Sequence, residues 1–133
     1  MELLKNTLFI NLESRKDRLE HAEAEFKKLG IEAERVNAKK MPNGAVGCTL
    51  SHINCLQIAK QRKYEHVFIC EDDITFLDPE LLKTNLEKFH KNCDFIWNMI
   101  VIGGNNVPPY QKLSDYYIRI FQCQTTTGYI VHK

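Results

Sequence analysis

An α/β fold with a largely parallel sheet is what this 133-residue sequence predicts, and three observations carry the prediction. Apolar runs of strand length, Thr7–Leu12 and Val67–Cys70, alternate with segments whose apolar residues recur every three or four positions, the pattern of helices laid between strands. Those two runs are apolar on both faces, which suits strands covered from two sides. The helix ends are also marked chemically, by Gly30 after Leu29 and by Asp78-Pro79 ahead of a periodic stretch. A glycine closes a helix in the left-handed conformation, and an acid followed by proline opens one.

Taken in order, Thr7–Leu12 is the first strand. Ser14 is placed to cap a helix from about Arg15 to Leu29, with Asp17 three residues on, and Leu19, Ala22, Phe26 and Leu29 form its buried stripe. Ile31–Val36 reads as a second strand diluted by Glu32, Glu34 and Arg35, and Asn37–Gly47, with one proline and two glycines, as a loop. A second helix runs from Ala45 or Gly47 to Lys60 with Ile53, Leu56 and Ala59 inward. The third strand lies in EHVFICEDDITF, Glu65 to Phe76. A helix follows from Pro79 to about His90 with Leu82, Leu86 and Phe89 on one face. Cys93–Ile102, Tyr116–Cys123 and Gly128–Val131 read as strands, and Asn105–Ser114 as an exposed loop. Ligands of such sheets bind beyond the carboxyl ends of the strands, here Asn11-Leu12, Glu71–Asp73 and Gly103–Asn105.

The length suits one domain with its own core. Eighteen basic and 17 acidic residues leave a formal charge of +1, which gives no support to a nucleic-acid partner or a charged membrane surface. No apolar run is long enough to span a bilayer, and no signal peptide is visible, so a cytoplasmic protein is expected. The five cysteines are widely spaced with no Cys-x-x-Cys pair, which favours free thiols in a reducing compartment over a disulfide framework.

Three constellations carry chemistry. Glu71-Asp72-Asp73 closes a buried strand. In extended chain Glu71 and Asp73 share a face while Asp72 points away, and two carboxylates together with diphosphate oxygens suit Mg²⁺ or Mn²⁺. The plainer alternative is a solvated strand end. Arg15 and Arg18 lie on the first turn of helix one, where guanidinium groups and free helix N–H groups suit phosphate; the alternative is a wet helix start. In Gly47-Cys48-Thr49-Leu50-Ser51-His52, Cys48 and His52 share a helix face, but no further ligands stand at zinc-finger spacing. Neighbouring Ser51 and His52 point about 100° apart and cannot form a dyad. No glycine-rich phosphate loop of the GxGxxG or GxxxxGK[ST] kind is present.

Read together and in this order, FINLESRKDRLEH, ERVNA, GCTLSHINCLQIA, HVFICEDDITF and TTTGYIVHK resemble the motifs of glycosyltransferase family 25, over nearly the whole chain. The resemblance implies a type A glycosyltransferase-like, Rossmann-like nucleotide-sugar-binding sheet, shortened at the C-terminus relative to the family. It implies Glu71 and Asp73 as ligands of Mn²⁺ or Mg²⁺ on the donor diphosphate. Asn11, Arg15, Arg18, Ser51, His52 and Asp72 would be donor-binding residues. The donor would be UDP-galactose or UDP-glucose, the acceptor a glycan or a glycoprotein hydroxyl such as that of hydroxylysine, and the setting lipopolysaccharide biosynthesis or collagen modification. No residue is assigned as general base. The alternative is a non-catalytic or truncated nucleotide-sugar-binding homologue, and a short chain could also complete its site as a homo-oligomer.

Overall fold

The computed structural model describes residues 1–133. Its main sheet has five strands in the order β2-β1-β3-β7-β4: β1 (Thr7–Asn11), β2 (Glu34–Asn37), β3 (His66–Glu71), β4 (Met99–Gly103) and β7 (Gly128–His132). A hairpin of β5 (Tyr110–Lys112) and β6 (Ile118–Ile120) stands apart. The helices are α1 (Lys16–Leu29), α2 (Gly44–Gln61) and α3 (Pro79–Asn92), preceded by a short 3₁₀ turn at Glu2–Leu4.

Strands β2, β1 and β3 are parallel, whereas β7 runs antiparallel to both its neighbours. The chain first adds a strand to one side of β1 and then crosses to the other. Because such crossovers are right-handed, α1 and α2 are sent to opposite faces of the sheet. The core accordingly has two layers. Phe9, Phe26, Phe68, Cys70, Leu86, Phe89 and Ile130 fill the side of α1 and α3. Leu8, Ile10, Val67, Ile69, Cys55 and Tyr129 fill the side of α2.

Helix α1 buries Ala22, Phe26 and Leu29 as its periodicity predicts, and Gly30 ends it at φ 70°. Its start differs from expectation. Leu12–Arg15 forms a turn, with the Arg15 N–H donating to the Leu12 carbonyl at 2.9 Å. That places Arg15, rather than Ser14, at the cap, with no side-chain capping bond. Glu25 is buried as well. It accepts from Lys28 Nζ and from the Phe76 N–H at 2.9 Å, tying α1 to the segment after β3, and the Lys28 ammonium holds its carboxyl below the usual range against the cost of burial. In α3, Asp78 caps through the Leu81 N–H at 3.0 Å with Pro79 first in the helix, as expected.

Helix α2 corrects the predicted face. Ile53 and Leu56 are 43 % and 38 % exposed, and the residues turned to the sheet are Gly47, Ser51, Cys55 and Ala59. Small side chains four apart let the helix lie close against the strands, so the apolar branched residues are carried to the outer side. The second strand begins at Glu34 rather than Ile31; as an edge strand bonded only to β1, it tolerates its charges. Cys93–Asn98 is not strand, and β4 is confined to Met99–Gly103. Tyr116–Cys123 contributes only Ile118–Ile120, paired with a strand inside the predicted Asn105–Ser114 loop. Because β7 lies between β3 and β4, Gly103–Asn105 stands two strands away from β3 rather than beside Glu71–Asp73.

Candidate functional site

The order of strand addition reverses between β1 and β3, the switch point at which open α/β sheets form a crevice. A cavity of about 350 Å³ opens there, lined by the ends of β1 and β3, the start of α1, the 38–41 loop and the first turns of α2. Arg15, Arg18, Ser51, His52, Glu71 and Asp72 all line it, joined by Lys39, Lys40 and Cys48. Asn11 lies directly beneath, and Asp73 is outside the lining and exposed.

Asn11 is the fixed point of this arrangement. It is 1 % exposed. Its amide donates to Asp72 Oδ2 at 2.7 Å and to the Arg15 carbonyl at 3.2 Å, and its Oδ1 accepts from Arg35 Nε at 2.8 Å. Arg35 Nη2 also donates to the Asn11 carbonyl at 3.2 Å. The second oxygen of Asp72 accepts from Arg18 Nη1 at 3.2 Å. Asp72 is thus buried and held by two donors, while Arg18 keeps 43 % of its side chain exposed toward the cavity. Arg15 is bidentate to Asp17, at 3.0 and 2.8 Å; that pairing pulls the Asp17 carboxyl down to about 2. Arg35, in the sequence a charge that dilutes a strand, belongs to the hydrogen-bond frame of the site. Its signal was position, two residues before the strand's end at Asn37, on the strand that neighbours Asn11.

The strand stops at Glu71, and a turn follows in which the Ile74 N–H donates to the Glu71 carbonyl at 3.2 Å. Strand alternation therefore does not reach Asp73, and the expected pairing of Glu71 with Asp73 on one strand face is replaced by another. His52 Nε2 lies 3.1 Å from Glu71 Oε1, and His52 Nδ1 lies 2.8 Å from Tyr129 Oη, with the two rings stacked at 5.5 Å. The hydrogen bond from His52 holds the Glu71 carboxyl below its usual range, against the opposing effect of burial. Burial pushes the Tyr129 phenol up, so it stays protonated. In neutral His52 the proton then sits on Nε2, facing the acceptor-only carboxylate, and the Tyr129 O–H donates to Nδ1. Tyr129 comes from the last strand and was not foreseen.

Cys48 Sγ lies 3.6 Å from the same Glu71 oxygen, and burial and that carboxylate raise its pKa. Ligand atoms of Cys48, His52 and Glu71 lie within 4.8 Å of one another. A carboxylate, an imidazole and a thiol suit a borderline divalent cation better than Mg²⁺, which favours an all-oxygen shell. All five cysteines are free; Cys123, expected inside a strand, instead donates to the Thr125 carbonyl at 3.0 Å at a loop bridge.

Ser51 is in the wall, but its hydroxyl is already committed, donating to the Gly47 carbonyl at 2.7 Å and accepting from the Lys39 N–H at 2.8 Å. It anchors the basic loop to α2. Gly47 permits that docking, since a Cβ there would overlap the Lys39 carbonyl oxygen. Gly47→Ala is expected to destabilise the chain by about 1–3 kcal/mol through this backbone overlap. Gly44→Ala meets nothing within 4 Å and should be neutral or stabilising by up to about 1 kcal/mol. Urea unfolding of the two variants checks the contrast, and equal midpoints would refute it.

Residues 34–133 match the family described as glycosyltransferase family 25 (LPS biosynthesis protein). The chain is also similar to a procollagen lysyl hydroxylase and glycosyltransferase of Acanthamoeba polyphaga mimivirus, 28 % identical over 170 residues. That alignment takes in 97 % of this chain and 18 % of the relative, so the chain spans less than a fifth of the curated protein it matches. No helix is long and apolar enough to cross a membrane.

Proposed function

The chain belongs to glycosyltransferase family 25, and from that premise we propose that the cavity between β1 and β3 binds the diphosphate of a UDP-hexose, UDP-galactose or UDP-glucose, for transfer to a glycan or glycoprotein hydroxyl. The observation that carries the reading is the convergence of Arg15, Arg18, Lys39 and Lys40 with Glu71 and His52 around one 350 Å³ cavity. Residues from the first turns of α1 and α2 also line it, and the positive end of a helix dipole favours phosphate. Arg18, braced by Asp72, offers its remaining donors to a phosphate oxygen, and Lys39 and Lys40 add charge from the loop side.

In this reading Glu71 and diphosphate oxygens would hold a divalent cation such as Mn²⁺, while Asp73 stays in the exposed turn beyond the cavity. When bound, the cation offsets the charge that develops on the leaving UDP. In the transfer, the anomeric carbon's bond to the diphosphate oxygen breaks with its electron pair leaving on UDP, its bond to the acceptor oxygen forms, and the acceptor hydroxyl's proton is released along with UDP. The chain's own residues hold the diphosphate through Arg15 and Arg18 and keep Glu71 ionised through His52. We further infer a type A sheet and a single donor-binding domain over residues 1–133, working in the cytoplasm in keeping with its free thiols.

Calorimetric titration with UDP, with and without Mn²⁺, tests the proposal. Saturable binding that strengthens with Mn²⁺ and weakens at least tenfold in Arg18→Ala is expected, since that change removes a charged phosphate donor. Absent binding, or binding indifferent to both metal and Arg18, would sink it. Hydrolysis of UDP-galactose or UDP-glucose by the metal-loaded chain then separates a transfer-competent site from one that only holds the donor.

A further inference from the structure

At the opposite end of the sheet, about 17 Å along β3 from Glu71, the first residue of that strand faces the last residue of β7. His66 and His132 are direct partners in the antiparallel ladder, so their side chains emerge from adjacent strands on the same face. Their ring centroids are 4.9 Å apart. Glu65 precedes His66, and one ligand atom from each of Glu65, His66 and His132 falls within 4.8 Å of the others. None of these residues belongs to the donor cavity.

The main chain that carries this triad is held by hydrogen bonds. The His132 N–H donates to the Asn98 carbonyl at 2.9 Å and the Lys133 N–H to the Glu65 carbonyl at 3.0 Å, while Asn6 Nδ2 donates to the His66 carbonyl at 3.1 Å. These bonds use main-chain groups and leave the imidazole nitrogens without protein partners. Trp97 stacks on the His66 ring at 5.7 Å and 10° and lies 5.2 Å from the His132 ring. His90, on the last turn of α3, meets His66 edge-on at 6.1 Å. His66 is 8 % exposed, His132 half-buried and Glu65 exposed, so the cluster is open to solvent on its Glu65 side.

We propose that Glu65, His66 and His132 form a second, independent metal site for a borderline divalent cation of the Zn²⁺ class. Two imidazoles and one carboxylate are a three-ligand zinc set that leaves a position open. Ligand atoms on a tetrahedral Zn²⁺ stand about 3.4 Å apart, given bonds of about 2.0–2.1 Å, so rotation of the exposed Glu65 and the half-buried His132 toward His66 closes the set.

The chain's single tryptophan reports on this site directly, because it touches both imidazoles. Metal-free protein titrated with Ni²⁺ should show saturable quenching of Trp97 fluorescence, reversed by competing Zn²⁺. Half-exposed His132→Gln and exposed Glu65→Gln, both chosen to spare the fold, should each weaken the quenching by more than the roughly 10–100-fold that loss of a mere outer-shell partner causes. Cys48→Ser and Glu71→Gln, which alter only the donor cavity, should leave it unchanged. Quenching that is absent, that survives His132→Gln, or that follows Glu71→Gln instead would overturn the proposal. Since UDP binding is not part of the readout, either outcome leaves the donor site separately testable.

Discussion

Asn11→Ala is expected to lower the unfolding free energy by about 3 kcal/mol, the scale of losing hydrogen bonds to buried charged groups. The side chain is deleted where it is least replaceable. Asp72 is 6 % exposed and takes one of its two hydrogen bonds from the Asn11 amide, while Arg35 loses its Oδ1 acceptor. The deletion leaves a buried carboxylate with one of its two protein donors rather than merely removing a contact. Asp72→Asn keeps the shape and removes the charge, and should cost less than Asn11→Ala. In the double variant the losses should not add, with a coupling of about 1–3 kcal/mol for two residues in one network. Urea unfolding followed by circular dichroism measures all three. A loss below about 1 kcal/mol, or strict additivity, would show that the hub is not a connected unit.

Glu71→Gln is expected to reduce Mn²⁺-dependent UDP affinity on the order of 100-fold, about 2.7 kcal/mol, while leaving metal-free UDP binding and the fold intact. The amide keeps an oxygen toward His52 but is a poor metal ligand. The pH dependence follows from the environment of the carboxyl. The hydrogen bond from His52 places its pKa below the usual 4.5. A depressed carboxyl stays ionised above its ordinary value and is lost as a ligand only when pH falls through its lowered one. Metal-dependent binding should therefore persist from neutral pH through the ordinary carboxyl value and fail only as pH falls through the lowered one. In His52→Ala the support is gone, and the acid limit should move upward. Calorimetry across pH 4 to 7 reads both effects, and identical acid limits in the two proteins would refute the coupling of His52 to Glu71.

Much of the architecture was written locally. The Leu19–Ala22–Phe26–Leu29 stripe, Gly30 and Asp78-Pro79 each act within a turn or two of the chain, and α1 and α3 follow them. What escaped depends on distant partners. Nothing in TTTGYIVHK says that β7 will enter antiparallel between β3 and β4, yet that insertion supplies Tyr129 to the site and moves Gly103–Asn105 away from it. In helix α2 the apolar periodicity of Ile53 and Leu56 does not mark the inner face, because closeness to the sheet selects the small residues Gly47, Ser51, Cys55 and Ala59, of which only Ala59 is in the expected stripe. At the site, sequence brought Arg15, Arg18, Ser51, His52, Glu71 and Asp72 to one cavity through order along the chain. It did not distinguish Asp72, buried in the hub, from Asp73, exposed beyond it, because adjacency in a turn carries no information about which carboxylate faces inward.

The placement of β7 also sets a timetable for assembly. Residues 128–132 bond on one side to β3 and on the other to β4, yet a ribosome delivers them after every other element of the sheet. Until they emerge, β3 and β4 each present a row of unpaired amides and carbonyls, and β3 is buried along nearly its whole length in the finished sheet. A nascent chain that has reached the β5–β6 hairpin but not Gly128 therefore carries a slot of two sticky strand edges. Closing that slot requires contacts more than fifty residues apart in sequence, such as His66 with His132, and such contacts form slowly. The strand that links β3 to β4 is thus the one for which the finished sheet waits longest.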